Sequence, residues 1–159
     1  MKNTFSLLTK IIGIVCAVLM LASLVLQFVP CWEIEDGTMS ISEYVWFPYH
    51  HNDFTKEYRE WTGDDMLSSG DLSGSNPLLL AFGVLGIVFC LIRSKKAWVY
   101  LLPIVCGVCV LSQCLPVLSY GAQYLIGTAL YMPLLMLGVA QTVLGIAGMV
   151  MAIVAKKKN

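Results

Sequence analysis

From Ala97 to Ala155 the chain carries no Asp, Glu, Lys, Arg or His. A water-soluble domain does not contain such a run, because its helices and sheets show a charged or polar face to solvent. The run is long enough for two crossings of a hydrocarbon layer about 30 Å thick, each needing roughly 20 apolar residues. Composition points the same way. Charged residues make up 13% and hydrophobic residues 58% of 159 positions, against roughly 25% charged in an ordinary soluble domain. Both a soluble globule and a disordered chain are excluded, which leaves one integral membrane domain over 1–159.

Two further spans precede that run. Ile11 to Val29 is uncharged, with Ser23 and Gln27 its only polar side chains, and Pro77 to Ile92 is uncharged throughout. Asn76-Pro77 reads as a helix N-cap followed by proline at the first helical position. The long run is broken at its least apolar part, Tyr120-Gly121 with Tyr124, Gly127 and Thr128. Helices are therefore predicted at about 7–29, 77–93, 97–118 and 131–154, an all-α bundle of four transmembrane helices.

Charge assigns sides to these spans. All ten acids lie between Glu33 and Asp71, with only Lys56 and Arg59 among them, a net −8. The other eight cations sit at the N-terminus, at Arg93, Lys95 and Lys96, and at Lys156 to Lys158. Lys and Arg are retained on the cytoplasmic side. Both termini and the 93–96 turn are expected inside a plasma membrane, with 31–76 and a short loop near 119–130 extracytoplasmic. Trp98 and Tyr100 would mark the inner interface, and Phe28, Trp32, Tyr120, Tyr124 and Tyr131 the outer one. The first apolar run exceeds the 7–15 residues usual in a signal peptide, and Pro30 stands where a small cleavable residue is needed, so the span is expected to stay.

The outer module, 31–76, carries its own pattern. Trp32, Ile34, Met39 and Ile41 alternate with polar residues on either side of Asp36-Gly37, a two-residue hairpin signal. That turn would set Trp32 opposite Ile41 and Ile34 opposite Met39, with the second strand running on to Trp46 and stopping at Pro48. A short helix from Asn52 or Asp53 to Trp61 would place Phe54, Tyr58 and Trp61 on one stripe. Residues 62–75, rich in Gly, Ser and Asp, read as a linker. Trp32, Trp46, Phe54, Tyr58 and Trp61 are the candidate interaction residues.

Four helices with both ends inside, a larger first outer loop and a short second one resemble the layout of claudins and peripheral myelin proteins. Pro30-x-Trp32 after the first helix resembles the start of the claudin extracellular strands. Tyr44-Val45-Trp46 sits where that family has Gly-Leu-Trp, and a short helix before the second span is similar. Claudins follow that Trp with two loop cysteines, whereas this loop has only Cys31, before Trp32.

Little in the chain suggests chemistry. Cys106-Gly107-Val108-Cys109 spells C-x-x-C, but it lies within the third span with no nearby charge to favour a thiolate. A disulfide between Cys31 and Cys114, both toward the outer side, is geometrically conceivable. His50, His51 and Asp53 could attract a metal, but adjacent loop histidines rarely face one ion, and the chain has no third His. No catalytic residue, cofactor or metal site is expected, and nucleic-acid binding has no basic face to support it. The spans hold no ionisable Asp, Glu, Lys, Arg or His, the usual mark of ion or proton coupling. Gln27, Gln113 and Gln141 are expected to make interhelical hydrogen bonds, and Gly13-x-x-x-Ala17, Gly148-x-x-x-Ala152 and the Gly138, Gly145, Ala152 series to permit close helix contact.

The expectation is a non-enzymatic membrane protein, a scaffold, adhesion or accessory subunit, making protein contacts through its acidic outer module. The alternative is a subunit of a small oligomeric channel or transporter. A membrane thiol oxidoreductase comes third. The partners expected are the lipid bilayer and either another membrane protein or further copies of the chain.

Overall fold

The computed structural model describes residues 2–34, 37–46, 56, 60, 75–120 and 128–157. Helix α1 is Lys2–Leu26, followed by strands β1, Pro30–Ile34, and β2, Gly37–Ser40, and a short helix α2, Ile41–Trp46. Among the described residues three long helices follow: α3, Ser75–Arg93; α4, Leu101–Tyr120, entered through a 3-10 turn at Ala97–Tyr100; and α5, Thr128–Lys157. Four of these helices are long and apolar enough to cross a membrane, over Ser6–Leu26, Ser75–Arg93, Ala97–Cys114 and Leu130–Lys157. The chain is thus a multi-pass membrane bundle. The α1 boundary falls short of 29 because Gln27, Phe28 and Val29 bond three residues back, to Leu24, Val25 and Leu26. That tightening leads into Pro30, which disfavours helical backbone in the residue before it.

Each long helix buries a seam whose residues are spaced alternately three and four apart. On α1 the seam is Thr9, Gly13, Cys16, Met20, Ser23 and Gln27; on α5 it is Leu134, Gly138, Gln141, Gly145, Gly148 and Ala152. A mean spacing of 3.5 is the repeat of left-handed helix packing. The seams are built from small and polar side chains, while Ile14, Val18, Leu21 and Val25 on α1 are exposed on the opposite side. Lipid is as apolar as leucine, so burying aliphatic side chains against one another supplies no net drive in a bilayer. Close backbone approach does, and glycine allows it.

Two such approaches set the neighbours. A Cβ on Gly13 would lie 2.8 Å from the Cys90 carbonyl oxygen, and one on Gly107 would lie 2.8 Å from that of Gly138. Gly83 meets Leu24, Gly86 meets Met20 and Leu102, and Gly145 and Gly148 meet Ile104 and Tyr100. The small-residue motifs of α1 and α5 are therefore spent inside the bundle. Neighbouring helices run antiparallel in the ring α1–α3–α4–α5, with α1 and α4 on a diagonal. The N-terminus of α1, the 93–96 turn and the C-terminus of α5 share one end, here the basic end. The strand pair and α2 occupy the other, the hairpin end.

The strand pairing departs from expectation. Trp32 pairs with Met39, Glu33 with Thr38 and Ile34 with Gly37, and the register shifts between Pro30 and Trp32. Gly37 is thus a strand residue and the connection is 35–36, which lies outside the described residues. Nor does the second strand run to Trp46: Ile41–Trp46 is helical. Tyr100, expected at an interface, is fully buried, and its hydroxyl donates to the Thr9 carbonyl at 2.7 Å. Trp98 is 46% exposed and meets Phe89 edge-on at 5.2 Å.

Candidate functional site at the hairpin end

Helix α2 is turned out of the strand by its own sequence. Ser40-Ile41-Ser42-Glu43 forms a capping box. The Ser40 hydroxyl oxygen accepts from the Glu43 N–H at 3.3 Å, and Glu43 Oε2 accepts from the Ser40 N–H and hydroxyl, both at 2.8 Å. The Ser42 N–H, an orphan donor in the first turn, reaches the Gln27 carbonyl at 2.9 Å. Met39 and Ile41 are buried beneath it.

From α2 a chain of hydrogen bonds crosses the bundle. The Trp46 indole N–H donates to Asn76 Oδ1 at 2.8 Å. Asn76 Nδ2 donates to Gln27 Oε1 at 2.7 Å and to the Ser42 hydroxyl at 3.4 Å. Gln27 and Gln113 exchange two amide bonds, each 3.0 Å. Indole is a donor only, so the oxygen of Asn76 must face Trp46 and its nitrogen must face Gln27. Gln27, Asn76 and Gln113 are fully buried, whereas Trp46 is 54% exposed. Gln27 just past α1, Ser42 of α2, Asn76 of α3 and Gln113 of α4 are thus linked to an aromatic ring presented at the surface.

Asn76 does not cap α3, which begins at Ser75; its amide serves the cross-bundle chain instead. Of the expected interaction residues, Trp46 belongs to this site. Trp32 enters it only as a strand residue paired with Met39. Phe54, Tyr58 and Trp61 lie outside the described residues, although Lys56 and Glu60 between them are helical and 3.9 Å apart as an ion pair. His50, His51 and Asp53 also lie outside them. Ser42 and Asn76 were missed as site residues. The available signals were the Ser40-x-x-Glu43 spacing, which starts the helix carrying Ser42, and an Asn76 amide at the same end of the bundle as Gln27 and Gln113.

Deeper in the bundle, Gln141 donates to the Leu19 carbonyl and to the Ser23 hydroxyl. Its Oε1 is buried without a partner. Cys106, Cys109 and Cys114 are buried free thiols on α4, and the side chain of Cys31 lies outside what is described. Among the described residues no three His, Cys, Asp or Glu side chains gather as a metal site. No family model, curated protein or solved structure matches the chain.

Proposed function

We propose that this protein is a non-enzymatic multi-pass membrane protein that makes protein contacts through the module at its hairpin end, as scaffold, adhesion protein or accessory subunit. The observation that carries the reading is Trp46, half exposed yet held through its N–H by a fully buried Asn76. A large ring fixed in place loses little freedom on binding, which is why tryptophans concentrate at contact hot spots. The proposal places that module outside the plasma membrane and both termini in the cytoplasm. A claudin-like adhesion role is its narrower form.

The bundle interior supports a contact role over transport. The α1–α4 diagonal is bridged at both ends, by Gln27 with Gln113 and by Tyr100 with Thr9. A conduit along the axis of one bundle would have to break both bridges. The test places a photoreactive residue at position 46 in the full chain in membranes. Adducts with a second membrane protein are expected, and adducts with lipid alone would overturn the reading. Adducts only between copies, with conductance in planar bilayers, would select the oligomeric channel instead.

A further inference from the structure

Six cations with exposed side chains crowd the basic end: Lys10, Arg93, Lys95, Lys96, Lys156 and Lys157. Packing brings them together. Gly13 of α1 sits against Cys90 and Ser94, so Lys10, three residues earlier, stands beside the 93–96 turn. Tyr100 spans from Gly148 to Thr9 and draws the last turns of α5 to the same end. Among the described residues no acid forms an ion pair with any of the six. All ten acids fall within 33–71, and the described Glu43 is bonded to Ser40 at the hairpin end, where Ser42 meets the Gln27 carbonyl. The ion pair Lys56–Glu60 involves none of the six.

Exposed apolar surface begins directly beside these charges. Ile92, next to Arg93, is 73% exposed, and Trp98 and Leu101 just past the turn are about half exposed. Cations with adjoining apolar surface match a molecule that is anionic at one end and hydrocarbon at the other. We propose that the seam between the start of α1 and the 93–96 turn binds an anionic phospholipid. Lys10, Lys95 and Lys96 take the headgroup phosphate, and the acyl chains run along Ile92, Trp98 and Leu101. The site is independent of any contact role for Trp46 and of which side of the membrane the basic end occupies.

The test uses the full chain in nanodiscs of phosphatidylcholine with increasing phosphatidylglycerol of matched acyl chains, reading retained lipid by native mass spectrometry. Phosphatidylglycerol should be retained preferentially, with the preference falling about fivefold for each of Lys10→Gln, Lys95→Gln and Lys96→Gln, as expected per near-surface cation. Lys56→Gln should leave it unchanged. Millimolar inorganic phosphate should not displace the lipid, because it lacks the chains. Equal retention of both lipids, retention indifferent to the three substitutions, or displacement by phosphate alone would each overturn the proposal.

Discussion

Asn76 does three jobs with one amide: it accepts from Trp46 and donates to Gln27 and Ser42. Asn76→Leu takes a bond from all three, though Gln27 Oε1 keeps its bond from Gln113, and a buried polar group left unpaired costs about 1–3 kcal/mol. The loss should sit at the upper end of that range in SDS-titrated unfolding from mixed micelles. Gln141→Leu should cost less, because only its amide nitrogen is engaged. At the other pair the order of single and double substitution is informative. Gln27→Leu leaves the Gln113 amide facing hydrocarbon, whereas Gln27→Leu with Gln113→Leu removes both groups. Unfolding assays should show the double variant better than the sum of the singles by about 0.6 kcal/mol and at most about 1.7, the average and upper coupling measured for interhelical bonds in membranes.

Elements in this protein are decided by short local devices. The Ser40–Glu43 box overrides an alternating pattern that would extend β2, because the reciprocal bonds satisfy the first-turn donors of α2. Glu43→Ala should remove about 1 kcal/mol of helix stability and expose 37–46 to limited proteolysis, whereas Glu43→Gln, which still accepts, should stay resistant. Between long helices the device is absence of a side chain. Gly13→Ala and Gly107→Ala each drive a methyl into a carbonyl oxygen 2.8 Å away. Backbone gives way less readily than a side chain, so overpacking of about 1–3 kcal/mol is expected for each. Val108→Ala, on an exposed face beside Gly107, is the matched change that should leave unfolding within about 0.5 kcal/mol.

At the scale of the whole molecule, an antiparallel ring of four helices puts all basic segments at one end and the α2 module at the other. Sidedness is open to a direct test with membrane-impermeant thiol reagents on intact cells, in a Cys31→Ser background. Thr38→Cys, exposed in β2, should label, and Lys95→Cys, exposed in the basic turn, should not. Ser94 is unsuited to this purpose because it is 6% exposed against Gly13. Reversed labelling would move the Trp46 face into the cytoplasm. The lipid site at the basic end would keep its place in the fold.

The sequence by itself determined that this chain crosses a membrane and where it does so, because span length and freedom from charge are set by the solvent. It also placed Gln27 and Gln113 at one depth, from their distance to the ends of their spans. Position along a helix is a one-dimensional property. The partner of each polar group is not. Asn76 read as a cap because Asn-Pro is a local signal, and only the arrival of Trp46 and Gln27 from other helices recruits its amide elsewhere. Tyr100 read as interfacial for the same reason, since nothing local announces that Gly148 leaves room for its ring. Which glycines meet, which helices neighbour one another, and which hydrogen bonds bridge the diagonal depend on contacts far apart in sequence. Those are fixed by the one ring arrangement in which every seam finds a facing seam.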